Sequence, residues 1–76
     1  MRIDVKLYGD LKKNAPGDQT NFVLTLTPGA TLGDVLKMLS IPEDRPVSLI
    51  NGRRATQSAR FEGGDTLVVF PAITGG

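Results

Sequence analysis

The chain has 76 residues, a length that predicts a single domain with a modest core and no internal substrate cavity. Nine basic and eight acidic residues leave a net charge of +1, which gives no electrostatic footprint for nucleic acid or a membrane surface. The sequence has no cysteine and no histidine, which excludes disulfides, thiolate or imidazole metal sites, and nucleophiles or bases of those types.

Two segments near the N-terminus, residues 2–8 and 21–27, alternate apolar and polar residues with the period of a half-buried strand. The polar, turn-rich segment between them predicts a loop and an antiparallel pairing of the two strands. The first segment lacks the apolar run of a signal peptide, so we expect a cytoplasmic protein. The residues predicted to face the core are Ile3, Val5 and Leu7, then Phe22, Leu24 and Leu26.

The stretch after Pro28 and Gly29 predicts the main helix. Thr31 is a candidate N-cap, and Asp34 three positions later completes a weaker form of the capping box. We expect Pro42 to end the helix, because proline removes a backbone donor and restricts the residue before it. The helix carries one apolar stripe, made of Leu32, Val35, Leu36 and Leu39.

The second half of the chain predicts three further strands. Residues 47–50 and the stretch from Arg53 flank Asn51-Gly52, a strong signal for a hairpin turn. Residues 66–70 are apolar on both faces, which is typical of a central strand or of one that presents a face to a partner. One helix over four or five strands is an α+β roll, in which we expect the first and last strands to be central neighbours.

The sequence offers no enzymatic machinery. Its serines have no histidine partner, and the glycine-rich "EGGD" at residues 62–65 lacks the pattern and the following helix of a phosphate-binding loop. The carboxylate pairs Glu43-Asp44 and Glu62/Asp65 are typical of solvated turns rather than of acid-base or metal sites. We therefore predict no metal site and no bound cofactor.

The C-terminal "FPAITGG" is the chemically unusual part of the chain. Two terminal glycines remove every side chain beside the carboxylate of Gly76, so the end fits a narrow channel. We divide the chain into a domain of residues 1–70 and a flexible tail of residues 71–76, with Pro71 to Thr74 as a spacer before Gly75. The alternative interpretation is an ordinary frayed terminus.

Four stretches, "IDVKLYG", "PGATLGDVLKML", "LINGRRA" and "GGDTLVVFPAITGG", resemble the ubiquitin-like sulfur carriers. This family includes the small subunit of molybdopterin synthase and the sulfur carrier of thiamine biosynthesis. The resemblance covers nearly the whole chain, and its last stretch is the most specific. It implies a β-grasp (ubiquitin-like) fold with a mixed sheet of four or five strands and one main helix covering one face.

The resemblance also implies a function for the tail. An adenylating enzyme would use ATP to activate the Gly76 carboxylate, and a sulfur donor such as a cysteine desulfurase or a rhodanese would convert it to a thiocarboxylate. The chain itself would be a carrier rather than an enzyme. Its further partner would be the large subunit of a synthase or a thiazole synthase, depending on the branch of the family.

The "FP" at Phe70-Pro71 favours the molybdopterin (or tungsten-pterin) branch, although Ala72 replaces the second proline usual there. The thiamine branch is the alternative. Two other classes of function stay open: a ubiquitin-like modifier that forms isopeptide bonds through Gly76, and a β-grasp interaction module that is not chemically reactive.

The parity of the last strand predicts which residues meet a partner. We expect Leu67 and Val69 in the core, and Val68 and Phe70 in an exposed apolar patch that docks the activating enzyme and a synthase large subunit. The alternative is that Phe70 folds over a sheet edge as ordinary core. Arg53 and Arg54 would supply steering charge at the rim of the patch.

Overall fold

The computed structural model describes residues 1–42, 44 and 46–71. Within this part of the chain, no helix is long and apolar enough to cross a membrane. The strands are β1 (Arg2–Leu7), β2 (Asn21–Thr25), β3 (Pro46–Ile50), β4 (Arg53–Arg54) and β5 (Thr66–Pro71). The α-helix is α1 (Leu32–Met38), and two 3-10 helices, Gly9–Asn14 and Pro16–Asp18, lie between β1 and β2.

The five strands form one mixed sheet in the order β2-β1-β5-β3-β4. Strands β1 and β5 are parallel, and the other neighbouring pairs are antiparallel. This arrangement confirms the predicted antiparallel β1–β2 pair and the central pairing of the first and last strands. A parallel pair needs a long crossover, and the chain between β1 and β5, which includes α1, provides it.

The core lies between one face of the sheet, called here the covered face, and α1. The alternation predicted for β1 is confirmed, since Ile3, Val5 and Leu7 are at most 1% exposed. Leu67 and Val69 of β5 are fully buried on the same face, also as predicted. The predicted helical stripe is buried as well, together with Phe61 from the loop before β5; its members are Leu32, Val35, Leu36 and Leu39.

The helix begins with the predicted capping box. The Asp34 backbone N–H donates to the Thr31 hydroxyl (3.3 Å), and the Thr31 backbone N–H donates to Oδ2 of Asp34 (3.0 Å). Hydrogen bonding of the Asp34 carboxyl to the Thr31 backbone N–H, and secondarily to the Thr31 side chain, lowers the pKa of this carboxyl. The ionised carboxylate is thus the form that stabilises the start of α1.

Replacing Asp34 by Asn should remove a pH-dependent part of the stability. A carboxyl whose pKa is lower in the folded state stabilises the fold above its unfolded value, near 3.8, and loses this effect as the pH falls through the folded value. We expect the wild type to exceed Asp34→Asn in free energy of unfolding at neutral pH, with the gap narrowing in acid. Urea titrations of both proteins across this range measure the gap, and a gap independent of pH would contradict the assignment.

The helix ends earlier than predicted, because a backbone motif rather than Pro42 stops it. Ser40 has a left-handed backbone (φ 58°), and its N–H donates to the Lys37 carbonyl (3.1 Å). The Ile41 N–H donates to the Leu36 carbonyl (2.9 Å), which completes a Schellman motif. The Asn14 side chain also donates to the carbonyls of Leu39 (2.9 Å) and Ser40 (3.2 Å). The end of α1 is thereby tied to the loop after β1.

The β3–β4 hairpin is tied to the start of β5 by Asn51. This residue has φ 53° in the predicted Asn51-Gly52 turn. Its side chain donates to the Asp65 carboxylate (2.9 Å) and accepts from the Thr66 N–H (2.9 Å). The other oxygen of Asp65 accepts from the Glu62 N–H (2.8 Å). The turn residues therefore hold the register of β3 against β5.

Asn51→Ala should lower the free energy of unfolding by about 1–3 kcal/mol, through the lost hydrogen bonds and the strain of alanine at a positive φ. The matched variant Asn51→Gly removes the same hydrogen bonds but accepts the backbone conformation. We therefore expect the order wild type, Asn51→Gly, Asn51→Ala in urea denaturation. Equal stability of all three proteins would contradict a role for this network.

Candidate functional site

The tail that carries the predicted chemistry lies outside the described residues. This applies to Thr74, Gly75 and Gly76, and to Ala72. The structure does describe the surface from which the tail starts. Strand β5 includes Pro71, one residue beyond the predicted strand, and there it pairs with Pro46 of β3.

The face of the sheet opposite α1, called here the open face, carries an apolar patch. Leu67 and Val69 point into the core, so the alternation of side chains along β5 places Val68 and Phe70 on the open face. Across the β3–β5 pair, Val47 lies opposite Phe70, and Leu49 lies opposite Val68. We call Val47, Leu49, Val68 and Phe70 the open-face patch.

The members of the open-face patch are half-buried, which is less exposed than the sequence predicts for Val68 and Phe70. The reason is mutual packing, because directly opposed side chains on neighbouring strands cover part of each other. Val47 and Leu49 were not predicted from the sequence to belong to this surface. Their i, i+2 spacing around the buried Ser48 is the signal that would have placed them together.

Charged side chains border the patch on both sides. Lys6 of β1 pairs with Val68, and Arg54 of β4 pairs with Leu49, so both lie on the open face and both are exposed. Arg53 pairs with Ile50, whose neighbours in register belong to the covered face. Of the two arginines predicted at the rim, the register therefore places only Arg54 beside the patch. Lys6 is a rim cation that was not predicted from the sequence.

The described part of the site is an apolar surface bordered by basic side chains. Among residues 1–42, 44 and 46–71, no group of three or more acidic side chains is placed to hold a metal ion. No buried side-chain nitrogen or oxygen in that part of the chain lacks a hydrogen-bond partner. An apolar patch with basic side chains at its rim is suited to docking another protein.

A five-stranded mixed sheet with one helix on a single face, and a parallel pairing of the first and last strands, is the β-grasp fold of ubiquitin-like proteins. The model of the ThiS family matches residues 5–76, which is nearly the whole chain. The protein therefore belongs to the ThiS family, and the resemblance to ubiquitin-like sulfur carriers and the predicted fold are confirmed. A search of curated proteins found no match.

Solved structures of ubiquitin-like proteins share this fold. Small archaeal modifier protein 1 of Haloferax volcanii is similar with a TM-score of 0.79 and 23% identity, covering 95% of this chain and 98% of that one. A chain of the complex of subunits 1 and 2 of the Helicobacter pylori molybdopterin-converting factor gives a TM-score of 0.66 at 18% identity, with 100% of both chains covered. Urm1 of Trypanosoma brucei gives 0.69 at 17% identity, covering 99% of this chain and 95% of that one.

Proposed function

We propose that this protein is a sulfur carrier whose Gly76 carboxylate is adenylated and then converted to a thiocarboxylate. The observation that carries the proposal is the family match itself, which runs through residue 76 and so includes the Gly-Gly pair. A chain without cysteine or histidine suits this role, because the partners supply the catalytic groups and the carrier supplies only an acyl carbon.

The proposed chemistry takes three steps on partner proteins. A carboxylate oxygen of Gly76 attacks the α-phosphorus of ATP and expels pyrophosphate, which leaves an acyl adenylate. The terminal sulfur of a persulfide carried by a cysteine desulfurase or a rhodanese attacks the acyl carbon, and AMP leaves, which gives an acyl disulfide. A thiol then attacks the donor-side sulfur of this disulfide, so the S–S bond breaks, the Gly76 thiocarboxylate is released, and the donor cysteine ends in a disulfide with the thiol. ATP is thus a substrate of the activating enzyme and not a cofactor of this chain. This chemistry is expected in the cytoplasm, where ATP is available.

We propose that the open-face patch docks the activating enzyme. Val68 and Phe70 belong to the strand that leads directly into the tail, so a partner on this face lies beside the start of the tail. Six residues beyond Phe70 extend at most about 20 Å, which limits how far the carboxylate reaches from the docked domain. Lys6 and Arg54 would steer an acidic rim of the partner toward the patch.

Adenylation is tested by ATP–pyrophosphate exchange with a candidate activating enzyme. The carrier hypothesis and the modifier hypothesis both predict exchange that depends on this chain. A non-reactive interaction module predicts no exchange, and an unchanged function when the C-terminus is capped or extended.

The acceptor that we favour is the pterin of molybdenum or tungsten cofactor synthesis, on the strength of Phe70-Pro71. The large subunit of the synthase would then be the second partner on the open face. The test is transfer of sulfur from the loaded chain to a pterin precursor, compared with transfer to the thiazole of thiamine synthesis in the presence of a thiazole synthase. Transfer to thiazole alone would assign the protein to the thiamine branch.

A second role as a protein modifier is favoured by the similarity to two solved structures that are described as small archaeal modifier proteins. It predicts the same activated Gly76 followed by attack of a lysine amine, which gives an isopeptide bond instead of a thiocarboxylate. Lysine-linked conjugates in cell extract, detected by the Gly-Gly remnant on lysine after digestion, would establish this role. If a thiocarboxylate is found and no such conjugates are found, only the carrier role is supported.

A further inference from the structure

Pro71, at the start of the tail, lies close against Gly9. Gly9, the first residue of the 3-10 helix after β1, has a left-handed backbone (φ 61°). A Cβ atom at this position would lie 2.8 Å from Cγ and 3.1 Å from Cδ of Pro71. The proline ring therefore occupies space that any side chain at position 9 would need.

The ring has little freedom to give way. It is closed on the backbone nitrogen and fixes φ of its own residue, so Cδ cannot shift without the main chain of Pro71, and Cγ can move only by a change of ring pucker. A long side chain would instead rotate aside at small cost. Both Gly9 and Pro71 are exposed, so a change at this contact leaves the hydrophobic core intact.

The other flank of Pro71 is a pairing of two residues that both lack a backbone donor. Its partner in register is Pro46, and neither proline has an N–H to donate to the sheet. On the side of Gly9, the Tyr8 N–H donates to the Val69 carbonyl (3.0 Å), two residues before Pro71. The β1–β5 pairing ends at Leu7 with Val69, two residues before Gly9 and Pro71. Packing against Gly9 is thus a main determinant of where Pro71 lies.

We propose that Gly9 is a positioning residue for the C-terminal tail. Its missing side chain gives the Pro71 ring a seat, and this seat sets the point and the direction in which residues 72–76 leave the domain. The consequence for activation rests on the proposed function, whereas the consequence for the direction of the tail does not.

The direction of the tail is measured without a partner. Because the chain has no cysteine, Thr74→Cys creates a unique site for a nitroxide label. The label broadens the NMR signals of amides that it approaches, and we expect a defined set on one flank of the domain. Gly9→Ala should change that set, whereas Gly17→Ala should not. Gly17 is the matched control because it has a similar φ (64°) with nothing within 4 Å of a Cβ.

Pro71→Ala provides the second control, because it removes both ring atoms that meet the added Cβ. In the Pro71→Ala background, Gly9→Ala should leave the set of broadened amides unchanged. This cycle separates the contact from the backbone strain of alanine at positive φ, which is present in both backgrounds. It also keeps the test informative if Gly9→Ala alone is too unstable to study.

With an activating enzyme that adenylates the wild type, Gly9→Ala should lower kcat for adenylation by about 10- to 100-fold, the effect of a misplaced reacting group. KM should change little, because the open-face patch is untouched, and Gly17→Ala should match the wild type in both constants. The positioning role is wrong if Gly9→Ala and Gly17→Ala give the same set of broadened amides and the same kcat and KM. It is also wrong if the label on the wild-type chain broadens amides on no preferred flank of the domain. Failure of the wild type to be adenylated would instead contradict the proposed function.

Discussion

Deletion of Gly76 should abolish sulfur loading while leaving the fold intact. The reason is chemical, because the new C-terminal carboxylate on Gly75 is set back by one residue, about 3.5 Å, from the position that the activating enzyme must reach. A displacement of that size in a reacting group removes activity far beyond the hundredfold expected for 1 Å. The buried core of the described residues runs from Ile3 to Val69, so unfolding by urea should be unchanged.

Two variants control this deletion. Adding one alanine after Gly76 leaves the whole chain in place but moves the carboxylate outward, and it should block loading as completely as the deletion. Gly75→Ala keeps the length and tests whether a side chain fits the channel that two glycines imply. Loading of the deleted chain at the wild-type rate would place the reactive group elsewhere than Gly76.

Val68→Asp should raise the KM of the activating enzyme for this chain by about 10- to 100-fold. This is the range expected when a charge replaces an apolar residue at the centre of a docking surface. The change should be compatible with folding, because Val68 is only half-buried and pairs with Lys6 across the β1–β5 pair. The kcat, reached when this chain saturates the activating enzyme, should stay close to that of the wild type, since the tail is unaltered.

Val23→Lys is the matched control for Val68→Asp. Val23 is 55% exposed on the same open face, but it lies on the outer strand β2 opposite Asp4. Each variant therefore introduces a charge opposite an existing charge of the other sign, and only Val68 belongs to the open-face patch. A similar rise of KM in both variants would show that the surface extends over the whole open face, and no rise in either would exclude docking through the patch.

Most of the fold follows from local patterns. Alternation identified the inward face of β1, the spacing of apolar residues identified the buried stripe of α1, and Thr31 with Asp34 marked the start of that helix. These features depend on residues close in sequence, so the period of the pattern determines the side that each residue presents. The end of α1 was misplaced because Ser40 adopts a left-handed conformation. Glycine is the usual sequence signal for this conformation at the end of a helix, and serine is not.

The site was harder to predict because it depends on pairing between distant segments. The parity of β5 separated Val68 and Phe70 from Leu67 and Val69, but only the register of β3 on β5 shows that Val47 and Leu49 complete the patch. The register of β4 likewise separates Arg54 from Arg53, which are adjacent in sequence. The contact between Gly9 and Pro71 joins residues 62 positions apart, and no local pattern marks it.

The most direct test of a sulfur carrier is the intact mass of the wild-type chain after incubation with ATP, an activating enzyme and a sulfur source. We predict a mass increase equal to the exchange of one oxygen for sulfur, dependent on ATP and located by fragmentation at the Gly76 carboxyl. An unchanged mass in reactions where the same enzyme loads a known carrier would contradict the account, as would a sulfur atom found anywhere other than Gly76.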